Sequence, residues 1–364
     1  MVAGEISTSY PSSAGAALDQ SRAIDTRIWC EQDALFLAFV LTMVAPPSSE
    51  GLQMPAGWRV SANQRNKVLA DLGTDEERLD IDARSIRAWV NMQPHLPFLP
   101  ESEITWIKHY LLCCKNSMEK TKQGLDQYYT ARTAHYDFFG RYNINEEELI
   151  KYGKFMSIGI SKELTPGLRR VLVARNRSEE QTEEDFSRMC RLNLLKADAL
   201  IRMDVNAGYE VVLDQSDFTP GNVRLLILGL NVLKTFLACV LGSVPARVNH
   251  VHIINSPSSF RTAFSLLQPL LKEKLKNRVT LHEDLKSLYS HVPPQYLPKD
   301  LGGDLPSCEE MEAEFRPVLS SFASHYAVQR TLKVDESKRP GGPSKMHADA
   351  QFGCEGSFRR MALD

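Results

Sequence analysis

Three short runs of branched residues set the main limit on what this chain can fold into. "RRVLVA" (Arg169 to Ala174), "YEVVLD" (Tyr209 to Asp214) and "VNHVHIIN" (Val248 to Asn255) suit strands, and the helix-length stretches Thr182 to Met203 and Val223 to Leu241 separate them. Strands joined this way pair in parallel, because a parallel partner needs a crossover of a dozen or more residues. The pattern predicts an α/β fold with a mostly parallel sheet flanked by helices. A last helix is expected from about Glu309 to Ala327.

Upstream the period is helical. "TDEE" reads as a capping box in which Thr74 accepts from the backbone and Glu77 reaches back, opening a helix to about Met92. Three prolines in "QPHLPFLPESE" break it, and Ile104, Ile107, Leu111, Met118, Leu125, Tyr128 and Tyr129 resume helical spacing. The expected organisation is a variable or disordered leader (1–59), an all-helical unit (60–150), the sheet domain (151–327) and a Gly/Pro-rich flexible tail (328–364). Within the leader, the apolar run Ala34 to Ala45 has 12 residues. A bilayer helix needs roughly 20.

Several function classes lack their chemical parts. No GxSxG elbow, GxxxxGK[ST] loop or GxGxxG turn follows a strand, so hydrolase, NTPase and dinucleotide readings fail, and neither a catalytic residue nor a cofactor is expected. With 43 basic against 45 acidic residues there is no global field for nucleic acid, and attraction to an anion must be local. Seven cysteines without CxxC spacing, two of them adjacent at Cys113 and Cys114, point to reduced thiols and a cytoplasmic setting. His250 and His252 alternate on one strand face as two metal ligands could, but no third ligand stands near in sequence, so packed histidines are the expectation. The serines of "SPSSF" read as caps of the following helix.

The segment after the third strand run is both greasy and basic. On a helical wheel Phe260, Phe264, Leu267, Leu271 and Leu275 share one stripe, Lys272 and Lys276 lie roughly 100° to 140° away, and Leu266 and Leu270 make a second patch. Pro269 should kink or divide it. Taken alone, this is a core helix with solvated lysines, or one that covers a lipid cavity and touches a bilayer.

Taken together, "IRAWVNMQPHLP", "MEKTKQGLDQYYTAR", "HIINSPSSFRTAFSLLQPLLKEKLKNRVTLH" and "HVPPQYLPKDLGGDLP" resemble, in order and spacing, the CRAL-TRIO lipid-binding family of the tocopherol-transfer and retinaldehyde-binding type. The tail "EGSFRRMALD" resembles that of its insect members. The resemblance implies a helical bundle followed by an α/β domain whose apolar pocket is closed by a helical gate, here about Asn255 to Arg278. By family position and period two, the pocket lining expected is Tyr209, Val211, Leu213, Phe236, Val240, Val248, Val251, Phe260, Phe264, Leu267 and Leu271. Ordinary core is the other reading of each.

The resemblance also implies a basic cleft for anionic membrane, with phosphoinositide as a candidate partner. Arg247, Lys274, Lys276 and Arg278 are the expected cations, while Asn249 and Cys114 stand where arginines would be expected. Each missing arginine removes a bidentate phosphate contact. Ala246 replaces the glutamate of the phosphatidylinositol-transfer branch, which favours a neutral isoprenoid or retinoid-like cargo. The implied activity is carriage of a small hydrophobic lipid with transient membrane association; a lipid-sensing adaptor would use the same pocket.

Overall fold

A computed structural model of the chain describes residues 54–139, 144–177, 180–229, 231, 232, 235, 236, 239, 244–267 and 277–345. The helical unit comprises α1 (Ala62–Asp71), α2 (Glu76–Met92), α3 (Ile104–Cys113), α4 (Met118–Ala134) and α5 (Glu146–Gly153). The cap of α2 falls one residue later than its sequence suggests. Asp75 accepts from the Arg78 amide at 2.8 Å, while Thr74 Oγ1 turns to the Asp75 carbonyl. A carboxylate at the N-cap takes up a free amide and favours the positive helix end, so Asp75 displaces Thr74. The segment after the prolines is two helices, because Lys115 and Asn116 adopt left-handed backbone (φ 55° and 56°).

The sheet has five strands in chain order: β1 (Met156–Leu164), β2 (Arg170–Asn176), β3 (Tyr209–Asp214), β4 (Val248–Ile254) and β5 (Val279–Leu281). β1 is antiparallel to β2 and the rest are parallel. The crossover α6 (Glu183–Met203) links β2 to β3, and α7 (Pro220–Leu228) follows β3. The helix expected as far as Leu241 is described beyond α7 only at 231, 232, 235, 236 and 239, all helical. α8 (Ser258–Leu267) follows β4, α9 (Leu285–Tyr289) follows β5, and the expected last helix is two, α10 (Cys308–Ser320) and α11 (Ala323–Gln329). β1 and β5 are the strands that the branched-run pattern does not find. β1 carries Gly159 in its middle because α10 crosses there: a Cβ would meet Met311 Sδ at 3.1 Å and the Cys308 Cα at 3.4 Å.

The sheet has two different faces. Val171, Val173, Val212 and Ile254 point to one, packed with Leu288, Val292, Tyr296, Leu297, Leu301 and Cys308. On the other, register brings Leu172 beside Val211, Val211 beside Val251, and Leu213 beside Ile253.

Buried charges join the helical unit to the sheet domain. Asp198 on α6 accepts from Tyr128 Oη at 2.7 Å and pairs with Arg132 at 3.0 Å and Arg202 at 3.3 Å. Arg202 also reaches Glu103 at 3.2 Å. Burial pushes the Asp198 carboxyl up, but the Arg132 and Arg202 charges outweigh it and hold it at about 2.

Both ends of the expected organisation shift. Trp58, assigned to the leader, is buried, donates from Nε1 to the Ile160 carbonyl at 3.3 Å and meets Phe315 edge-on at 5.5 Å. The first part of the expected flexible tail docks on the helical unit: the Asp335 amide donates to the His95 carbonyl at 2.9 Å, and Arg339 reaches Asp126 at 2.8 Å and Thr130 at 2.6 Å. Its polar composition concealed a guanidinium with three partners, because Arg339 also holds Glu336.

Candidate lipid site

β3 positions the first group of expected lining residues by strand alternation. Tyr209, Val211 and Leu213 share the second sheet face and are each 4% exposed or less. Strict alternation would put Val248 and Val251 on opposite faces, since they are three apart. A bulge at Asn249 brings them together: Val248 is in register with Tyr209 and Val251 with Val211. The extra residue takes no place in the ladder. Gly208 makes room for it at φ +135°, where a Cβ would lie 2.2 Å from Asn249 Oδ1 and 2.8 Å from the Arg247 carbonyl.

α8 supplies a second apolar group. Phe260 and Phe264 stack with centroids 6.0 Å apart, and Phe218 meets Phe260 edge-on at 5.2 Å, tying α8 to the loop before α7. Offset and edge-on ring pairs add to the burial of their area. Phe236 is buried separately, against Phe138 at 6.1 Å. The structure thus assembles the strand set and the α8 aromatic set, and pairs Phe236 with a ring of the helical unit. Leu267 lies in α8, but its side chain is outside the described residues, as are Val240, Leu271, Lys274 and Lys276 altogether.

The two described cations meet where the strands begin. Arg278 Nη1 donates to the Val248 carbonyl at 2.9 Å, one residue from Arg247. Arg247 Nη1 is buried and has no hydrogen-bond partner among the described residues. Burial lowers the Arg247 pKa, and the like charge of Arg169 lowers it further. An unpaired guanidinium N–H held in this position is a donor for an anion. Sequence reasoning passed over Arg169, which lies in the first strand run and pairs with Glu210. It also attended to Cys114. Burial raises the Cys114 thiol to about 11 while Thr121 and Lys120 lower it, whereas Cys113 is the thiol that feels Arg247.

Two parts of the chain match known families. Residues 156–303 match the CRAL/TRIO domain, and residues 75–149 match the Pinta-like, UBA domain. The sheet domain therefore has the CRAL/TRIO α/β fold, preceded by a UBA-like helical region. The chain is similar to the clavesins: it is 25% identical to Clavesin-1 of Rattus norvegicus over 262 residues, covering 68% of this chain and 70% of that protein. It is 27% identical to Clavesin-2 of Homo sapiens over 259 residues, covering 68% and 76%. Against the crystal structure of Sfh5 the TM-score is 0.35 at 12% identity, covering 64% of this chain and 85% of that one.

Among the described residues no helix is long and apolar enough to cross a membrane, and no three His, Cys, Asp or Glu side chains are arranged to hold a metal ion.

Proposed function

We propose that the chain binds one small hydrophobic lipid, a tocopherol, retinoid or similar isoprenoid, and carries it between membranes. The observation that carries this reading is the continuous apolar sheet face, Leu172, Val211, Leu213, Val251 and Ile253, adjoining strand starts where Arg247 keeps an unpaired N–H. An apolar surface with a few placed polar groups selects cargo by shape, and no bond has to break. Tyr209, Val248, Phe260, Phe264 and Phe236 extend the lining, with Val240, Leu267 and Leu271 assigned to it by family position. Arg247 and Arg278, joined by Lys274 and Lys276, dock the protein transiently on anionic or phosphoinositide-containing membrane from the cytoplasmic side. Each cation near such a surface contributes about 1 kcal/mol, which keeps docking reversible.

Native mass spectrometry of the purified chain tests the first half: a copurifying neutral lipid of this class is the expected result, and a pocket that neither carries nor takes up tocopherol or retinoid refutes it. Transfer between donor and acceptor vesicles tests the second half. An adaptor that senses lipid without moving it would bind cargo yet leave the exchange rate unchanged.

A further inference from the structure

The face of β4 opposite the apolar set carries a cluster that the lipid-carrier function does not use. His250 and His252 on β4 meet His282, which follows β5, and His291, which follows α9; the rings lie 4.6 to 6.1 Å apart between centroids. His252 Nδ1 is 3.0 Å from His282 Nε2, His250 Nε2 is 2.9 Å from Thr280 Oγ1 on β5, and His282 Nδ1 is 2.8 Å from Ser287 Oγ on α9. His252 and His282 are 2% exposed, while His291 lies at the surface and opens the cluster to solvent protons.

β5 depends on these side chains more than an inner strand would. It has three residues on the sheet edge, paired as Val251 with Val279, His252 with Thr280 and Ile253 with Leu281. Two of the histidine links, 250 to 280 and 252 to 282, run between β4 and the β5 segment. The geometry points to a proton-operated clamp: the cluster of His250, His252, His282 and His291 holds edge strand β5 on β4, and acidification releases it.

The chemistry is that of a shared proton. A hydrogen bond between two ring nitrogens needs one N–H and one lone pair, so it survives with one ring neutral and is lost when both are protonated. The facing charges decide how many protons the cluster tolerates. From β3, Glu210 lies 3.6 Å from His252 Nε2 and is the carboxylate that faces the cluster. Arg169, ahead of β2, already pairs with that carboxylate, so Glu210 has little left to offset a second cation. On the far side Asp284 is engaged as the N-cap of α9, accepting from the Ser287 amide at 2.7 Å. Burial first, then the neighbouring imidazoles, lower His250 and His282 to about 4.

The sign follows from linkage. Free of the clamp these rings titrate near the ordinary value, so the released state binds protons more tightly than the closed one, and falling pH drives release between about 6.5 and 4. The consequence reaches the apolar face, because α8 leaves from the end of β4 and the chain returns at β5. Release of the strand is independent of the lipid-carrier function; only its coupling to cargo rests on that reading.

Hydrogen–deuterium exchange on the full chain at pH 7.4, 6.5 and 5.5, corrected for intrinsic rates, tests the clamp. Exchange at Val279 to Leu281 should change little between pH 7.4 and 6.5 and then rise, by at most roughly tenfold per pH unit for each proton taken up, while Val171 to Ala174 and Val211 to Leu213 stay protected. H250Q with H282Q, whose amides keep hydrogen-bonding capacity, should flatten this dependence, and the exposed H291Q should make it shallower. Exchange at β5 that is flat with pH overturns the clamp, as does acid exchange spreading equally to β2 and β3. So does a folded double variant that keeps the wild-type slope. If the double variant does not fold, the wild-type comparison between strands and H291Q still decide. Retention of a loaded retinoid across the same pH range reads the coupling to cargo separately, so its failure leaves the strand result standing.

Discussion

Arg170 and Asp204 form a two-point ion pair from which water is wholly excluded. Arg170 Nε meets Asp204 Oδ2 at 2.5 Å, Nη2 meets Oδ1 at 2.7 Å, and both side chains are 0% exposed. The remaining donors are used as well, with Nη1 on the Ser161 and Lys162 carbonyls at 2.8 and 3.0 Å and Nη2 on the Trp58 carbonyl at 3.0 Å. One guanidinium thus gathers β1, β2, the end of α6 and the segment before α1.

Removing one partner leaves a buried charge uncompensated. Asp204→Ala should lower unfolding free energy by about 3–5 kcal/mol, read by urea denaturation. Arg170→Met with Asp204→Leu should recover much of that loss, because an apolar pair has no unpaired charge to desolvate.

Gly208→Ala puts a Cβ against a backbone carbonyl and the Asn249 amide in a left-handed conformation. The expected cost is roughly 2–3 kcal/mol, visible as a lowered denaturation midpoint. Gly341→Ala, at φ +86° with open space around its position, bears backbone strain alone and should cost less.

Arg247→Ala with Arg278→Ala should weaken binding to anionic vesicles by about 2 kcal/mol, or roughly thirtyfold, and leave binding to neutral phosphatidylcholine unchanged. Vesicle sedimentation at two salt concentrations checks it; a pair of cations acting at the membrane loses its effect as salt rises.

Arg339→Ala should release the segment after α11 from the helical unit, at a cost of about 1.5–3 kcal/mol for its charged hydrogen bonds, and free the backbone at the already exposed Lys333 and Lys338 for cleavage by trypsin. The same contact sets an acid limit. Burial raises the Asp126 carboxyl, but Arg339 and His95 outweigh it and hold it below the usual 3.8. A carboxylate depressed on folding stabilises above its unfolded value and ceases to do so as pH falls through the folded one. Docking through Asp126 should therefore persist at pH 5 and fade below about pH 4, followed by proteolysis with an acid-active protease.

Periodicity made β2, β3 and β4 legible, because buried parallel strands read as branched runs. β1 was not, since its centre, Ile158 to Ser161, places Gly159 where α10 needs clearance, and a tertiary approach leaves no local period. β5 is three residues whose identity as a strand comes from β4 alone. Tyr209, Val211 and Leu213 followed from alternation, whereas Val248 and Val251 share their face only through the bulge. His250 and His252 were seen as a pair on one strand; His282 stands thirty residues beyond His252, a proximity that the β4–β5 pairing creates, and His291 arrives only with the turn after α9. The docking of the segment around Arg339 was not legible because composition reports an average, and Arg339 is a single anchor.

The bulge at Asn249 also makes that residue a spare link in the chain. Deleting it leaves Val248 and Val251 two apart, so an ordinary strand would keep the same sorting of oily and imidazole side chains, and Gly208 would lose the neighbour that crowds it most closely. Deleting His250 instead leaves Asn249 between the two valines, so the same ordinary strand forms with an amide where an imidazole stood. Shortening β4 at either position thus removes the bulge, and the two deletions differ in whether the histidine cluster keeps four members.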